Sequence, residues 1–234
     1  MTPESPASST PDNLARKRVG VLISGRGSNM VALQEAASAP NCPYELVVVV
    51  SNRPQAPGLA YAKTQGIATL ALDHTLFRSR EEFDDQIHRV MSASKVDIIA
   101  CAGFMRLMTE GLIERWHNRM INIHPALLPL FKGLDTHTRA LKSGVKISGC
   151  TVHAVRPKMD EGPILGQAAV AVLPDDTPER LAARVLKAEH KLYPEVLRLF
   201  ASDQIKIAGD RVINAYQGCE TADEAIYSPQ PTNR

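Results

Sequence analysis

The stretch Arg18-Val19-Gly20-Val21-Leu22-Ile23-Ser24 runs straight into the turn Gly25-Arg26-Gly27-Ser28-Asn29, a short apolar, β-branched segment ending at glycines. Residues Asn29 to Ala37 then have helical composition, with Asn or Ser available as the N-cap. A strand that is apolar at nearly every position is buried on both faces, as in parallel sheets covered by helices. The same step recurs along the chain. Tyr44 to Ser51 reads as a strand, Pro57 to Gly66 as a helix and Ile67 to Leu72 as a strand. Ser79 to Ser94 is an amphipathic helix with acidic residues in its first turn, where they complement the helix dipole. Val96 to Ala102 and Arg119 to Ile123 are two further strands, with a helix from Thr109 to Trp116 between them.

The second half has a different pattern. Gly149 to Val155 and Ile164 to Leu173 form two strands joined by a turn carrying Pro157, Asp160, Gly162 and Pro163. A long helix follows from Thr177 to about Phe200, with Pro178 in its first turn. Pro194 is expected to kink or break it. Ile205 to Ala208 and Val212 to Ala215 flank Gly209-Asp210 as a small hairpin. The fold class is therefore α/β, with a mostly parallel sheet and helices on both faces. The expected organisation is a polar, Ser/Thr/Pro-rich, disordered leader over residues 1–17, one domain over 18–216, and a loose tail over 217–234. Ligands of such sheets collect beyond the C-terminal strand ends, so Ser24 to Asn29, Ala102 to Arg106 and Asn122 to Pro125 are the places to look.

Composition narrows the class of partner. The 234 residues carry 27 basic and 25 acidic side chains, a formal net charge of +2 that gives no electrostatic case for nucleic acid. Aromatics are 5%, too few for base-stacking platforms. No apolar run approaches the roughly 20 residues of a membrane span, and the N-terminus lacks the apolar core of a secretory signal. Cys42, Cys101, Cys150 and Cys219 are scattered without zinc-type spacing, which fits buried free thiols in a reducing cytoplasm and no metal.

The glycine-rich turn joins a strand to a helix N-terminus, where free backbone N–H groups suit a phosphate. It lacks the Gly-Lys-Ser/Thr of a Walker loop, and Met30 stands where a dinucleotide fingerprint needs a third glycine. A plain tight turn is the bland alternative. Asn122-Ile123-His124-Pro125 carries more information. Residues two apart on a strand share a face, so Asn122 and His124 project together at a strand end. An amide donor beside an imidazole suits acyl transfer, the amide holding a developing oxyanion and the imidazole moving a proton. Asp160, in the turn Met159-Asp160-Glu161-Gly162-Pro163, is the candidate carboxylate partner of that imidazole. His153, between Val152 and Ala154, and His137, at a helix start, are weaker candidates; the former reads as a buried, hydrogen-bonded residue.

Taken together, Gly27-Ser28-Asn29, Ala102-Gly103-Phe104-Met105-Arg106, Asn122-Ile123-His124-Pro125 with Leu127-Leu128-Pro129, and Gly149 to His153 leading into Asp160-Glu161-Gly162-Pro163 resemble the single-domain, folate-dependent phosphoribosylglycinamide formyltransferase family over about Arg18 to Ala215. The resemblance implies a Rossmann-like sheet of about seven strands in the formyltransferase fold. It implies transfer of a formyl group from 10-formyltetrahydrofolate, the co-substrate, to the amine of glycinamide ribonucleotide in purine synthesis. Asn122, His124 and Asp160 would be catalytic. Gly27, Ser28, Asn29, Arg80 and Glu189 would hold the ribonucleotide's phosphate and ribose. Phe104, Met105, Arg106, Leu107, Met108, Asn122, Val155 and Asp160 would line the folate pocket. Two positions depart from the family pattern, Leu186 where a polar substrate contact is usual and Asp135 in place of a basic or polar residue. The enzyme would act on small molecules, as a monomer or homodimer. Relatives that hydrolyse the same folate carry an extra N-terminal domain, larger than a leader of about 17 residues. Those acting on charged initiator tRNA add a C-terminal nucleic-acid-binding domain. From another class, a non-catalytic folate- or nucleotide-binding module shares the fold but has no need of the Asn122, His124 and Asp160 set.

Overall fold

The computed structural model describes residues 15–214. The elements follow the alternating pattern: β1 (Lys17–Ile23), α1 (Ser28–Ala37), β2 (Tyr44–Ser51), α2 (Pro57–Thr64), β3 (Ala68–Ala71), α3 (Arg80–Ala93), β4 (Ile98–Cys101), α4 (Glu110–Arg115) and β5 (Met120–His124). They continue as α5 (Thr136–Ser143), β6 (Ile147–Ala154), β7 (Ile164–Ala171), α6 (Pro178–Ala201), β8 (Ile205–Ala208) and β9 (Arg211–Asn214). One turn of 3-10 helix, His74–Leu76, has no counterpart in the sequence reading. Of the expected leader and tail, residues 1–14 and 217–234 lie outside the described residues, and Lys17 already belongs to β1. No helix among the described residues is long and apolar enough to cross a membrane.

Seven strands form one sheet in the order β3-β2-β1-β4-β5-β6-β7, and β8-β9 is a separate hairpin. Every pairing from β3 to β5 is parallel, whereas β5–β6 and β6–β7 are antiparallel. Two apolar layers sandwich the sheet. One gathers Val19, Val21 and Ile23 of β1 with Met30 and Leu33 of α1, Leu59 of α2 and the buried stripe of α6. The other gathers Leu22 with Phe83, Ile87 and Met91 of α3 and Leu112 of α4. The second layer draws core residues from β1, β2, β4 and β5 but none from β6 or β7. On that face the antiparallel end of the sheet is covered by loops instead of helices.

Two local expectations change. The N-cap of α1 is Gly27 in the left-handed region (φ 70), with no side-chain cap, because Ser28 and Asn29 have entered the helix. Glycine adopts that conformation without the Cβ clash of other residues. Pro194 neither breaks nor ends α6, which runs 24 residues through it. Its neighbours Tyr193, Val196 and Leu197 are buried in the core, and Tyr193 Oη donates to the carbonyls of Cys101 and Ile121 at 3.1 and 3.3 Å. That anchoring offsets the roughly 3 kcal/mol a proline costs inside a helix.

Gly149 fixes the β6–β7 contact, since a Cβ there would stand 1.9 Å from the carbonyl oxygen of Ala168, in the paired strand. Backbone cannot yield as a flexible side chain does. Gly149→Ala is therefore expected to cost about 2–3 kcal/mol and to lower the melting temperature by about 4–12 °C, read by circular dichroism. An unchanged melting curve would mean that β6 and β7 are not packed this closely.

Candidate active site

The C-terminal ends of β1, β4 and β5 lie side by side, and short polar links tie them together. Ser24 Oγ, just past β1, donates to Asn52 Oδ1 at 2.5 Å and accepts the backbone N–H of Met105 at 2.7 Å. The Ser24 amide in turn donates to the Gly103 carbonyl at 3.2 Å. The glycine-rich turn and the Gly103–Met108 segment are thus fixed against one another. Gly58 of α2 braces the turn from behind, its N–H donating to the Gly25 carbonyl at 3.1 Å.

Asn29 points inward from the first turn of α1, and its Nδ2 donates to Glu189 Oε2 on α6 at 2.6 Å. Glu189 is buried, and loss of hydration holds its carboxyl above the usual range, only partly countered by the Asn29 hydrogen bond. Two sequence candidates 160 residues apart meet here. Phe104, Met108 and Val155 pack together against the α3–α4 layer, while Met105 and Leu107 remain exposed. The Arg106 guanidinium lies 4.6 Å from the centroid of the Phe83 ring. Asp84, one residue on, accepts the Thr109 N–H at 2.6 Å. Arg80 opens this same helix, α3. Through Phe83 and Asp84 the first turns of α3 are bound to the 104–109 segment, and no hydrogen bond or ion pair among the described residues joins Arg80 to the Gly27–Asn29 turn.

Asn122 and His124 do share a face at the end of β5, and the antiparallel partner adds two residues to it. Asn122 stands opposite His153, and His124 opposite Thr151. Asp160 comes from the loop after β6 with φ 56, a left-handed conformation that Asp tolerates better than most residues. Its Oδ2 accepts the Gly133 N–H at 2.8 Å and lies 3.5 Å from His124 Nδ1, while its Oδ1 lies 3.6 Å from His153 Nε2. The amide bond is a true hydrogen bond. The two imidazole distances are electrostatic contacts beyond hydrogen-bond length. His124 Nε2 faces the Phe131 carbonyl at 3.0 Å. Both nitrogens of His124 therefore face oxygen atoms of the protein.

His153, given little weight in the sequence, is the residue that completes the cluster. Burial holds its imidazole below the ordinary histidine range, against the opposing pull of the Ala154 carbonyl and Asp160. Its Nδ1 donates to the Ala154 carbonyl at 2.9 Å, which leaves the lone pair of Nε2 to accept from Asn122 Nδ2 at 3.2 Å. His153 so turns the Asn122 amide and leaves the second Nδ2 hydrogen for another acceptor. Only the β5–β6 register, invisible in either strand alone, reveals this. His137 has a buried, unpaired Nδ1, and burial lowers its basicity. Among the described residues no group of three His, Cys, Asp or Glu side chains is arranged to hold a metal ion.

Known proteins share this sequence and architecture. Residues 17–197 match the family described as formyl transferase. The human trifunctional purine biosynthetic protein adenosine-3 is 43% identical over 192 residues, which are 82% of this chain. The chain spans only 19% of the length of that relative. The phosphoribosylglycinamide formyltransferase of Escherichia coli strain K12 is 38% identical over 187 residues, covering 80% of this chain and 88% of the relative. Glycinamide ribonucleotide transformylase 1 from Symbiobacterium toebii superposes with a TM-score of 0.83 at 44% identity, covering 85% of this chain and 94% of that one. With residues 17–197 so matched, the chain belongs to the formyl transferase family, beside the phosphoribosylglycinamide formyltransferases.

Proposed function

We propose that the chain transfers the formyl group of 10-formyltetrahydrofolate to the primary amine of glycinamide ribonucleotide. The observation that carries this reading is the convergence of Asn122, His124 and Asp160, with His153 orienting the amide. The folate supplies an activated formyl carbon. As the amine attacks it, charge collects on the formyl oxygen, and the free Nδ2 hydrogen of Asn122 and the neighbouring imidazole of His124 stabilise that charge. Asp160 faces the imidazole and, through water, accepts the proton that the amine loses. The nitrogen–carbon bond to the folate then breaks, and its nitrogen takes up a proton.

The uncapped first turn of α1, at Gly27, Ser28 and Asn29, receives the ribonucleotide phosphate on its backbone N–H groups. Glu189 accepts from the ribose hydroxyls. The exposed Met105 and Leu107 with Phe104, Met108 and Val155 offer the folate an apolar wall, and Arg106 adds positive charge at its rim. Arg80, in the first turn of α3, supplies a further positive charge for the ribonucleotide phosphate. The enzyme works in the cytoplasm, where the buried thiols of Cys42, Cys101 and Cys150 stay free, as a monomer or homodimer. Hydrolysis of the folate without an acceptor amine is the competing activity of the same constellation.

Spectrophotometry of the folate with and without glycinamide ribonucleotide tests the reading. Tetrahydrofolate release should require the ribonucleotide; release without it would mean a hydrolase, and none at all a binding module. His124→Ala should lower kcat by about 10²–10⁴-fold, the usual worth of a positioned proton-transfer group, with folate affinity retained in equilibrium titration. Near-normal turnover would remove His124 from the mechanism.

Holding Glu189 ready in a buried site costs stability. Its folded pKa lies above the ordinary 4.5, so the native state binds this proton more tightly than the unfolded chain. Stability is greatest below that ordinary value and falls as pH rises through the raised one. Glu189→Gln keeps the acceptor for Asn29 and removes the ionisation. Urea titrations from about pH 4.5 to 7 should give the variant a stability advantage that grows with pH, while ribonucleotide binding weakens. Parallel stability curves would show that the carboxylate ionises freely in the fold.

A further inference from the structure

We infer that Gln167 is a positioning residue for His124, acting across three strands through Thr151. The sheet register places the three in one row, His124 opposite Thr151 and Thr151 opposite Gln167. Direct cross-strand partners share a face. The row therefore projects on the face that lacks helix cover, where the chain leaving β5 folds back over the sheet.

That returning segment is held by a small hydrogen-bond hub. Thr151 is fully buried, and its hydroxyl donates to the Ala126 carbonyl at 2.7 Å and accepts the Leu128 N–H at 3.0 Å. Gln167 Nε2 donates to Thr151 Oγ1 at 3.0 Å and to the Leu128 carbonyl at 2.9 Å. One amide group thus fills the remaining lone pair of the hydroxyl and grips the backbone beyond it. Three residues on, the Phe131 carbonyl meets His124 Nε2, and two further on, the Gly133 amide meets Asp160. Both partners that fix the imidazole and its carboxylate hang from the segment that Gln167 holds. Gln167 is itself exposed and lies outside both apolar clusters, so its amide serves this segment and not the core.

The kinetic arm of the test rests on the formyl-transfer reading, and a spectroscopic arm does not. In Gln167→Ala, kcat should fall about tenfold while KM for folate and ribonucleotide stay within about twofold, the pattern of a contact felt only in the transition state. Its melting temperature should stay near that of the parent, whereas a fall in kcat that tracks a large loss of stability would mark a structural role only. Unchanged kcat, or a raised KM alone, would overturn the inference. Independently of turnover, nitrogen-15 spectra should show the His124 ring signals displaced and the Leu128 amide exchanging faster. If both stay where they are in the parent, the clamp does not reach His124, whatever reaction the protein catalyses.

Discussion

The carboxylate of Asp160 touches two imidazoles and one backbone amide, and those three contacts come from three separate parts of the chain. His124 ends β5, His153 belongs to β6, and Gly133 sits in the loop between β5 and α5. That side chain is only about a tenth exposed, and a buried carboxylate needs polar partners in place of the water it gives up. The amide hydrogen bond fixes the carboxylate, and the two imidazole rings close around it. The loops over the antiparallel end of the sheet are organised around this requirement.

That end of the sheet is where the architecture departs from a uniform α/β layer. From β3 to β5 both faces are covered by helices, and every strand contributes apolar residues to both layers or to the one it borders. At β6 the direction reverses. On the α3–α4 face the chain then presents Asn122, His124, Thr151, His153 and Gln167 in register. A polar row of this kind would be costly under a helix, where each group would need a partner. Under loops it finds backbone carbonyls and amides, and leaves an approach for small molecules. The opposite face of the same strands, with Cys150, Val152 and Ala154, is fully buried. One pair of strands therefore supplies both core and chemistry.

The two halves of the site are prepared differently. The Asn29–Glu189 pair is buried and hydrogen-bonded at 2.6 Å, so that half is formed without a ligand. The other half is open, with the apolar side chains of Met105, Leu107 and Met159 exposed. A polar, preformed pair stands on one side and exposed apolar side chains stand on the other.

By itself the sequence determined the α/β class and nearly every element, because β-branched apolar runs and helical periods are local signals. Asn122 and His124 share a face by strand geometry alone, and the turn at Gly27 announces itself through its glycines. Pro194 misled because its local preference against helix is outweighed by the burial of Tyr193 and Val196 around it, a tertiary term. The cap of α1 was misplaced by one or two residues, since only the backbone dihedral at Gly27 shows where the helix begins. His153 was legible only as a buried, hydrogen-bonded residue and Gln167 not at all, because their partners arise from antiparallel register, a relation between segments that periodicity within each cannot express. Local chemistry wrote the strands and their ends; only tertiary pairing decided which side chains meet there, since hydrogen bonds between distant segments form after the chain has closed on itself.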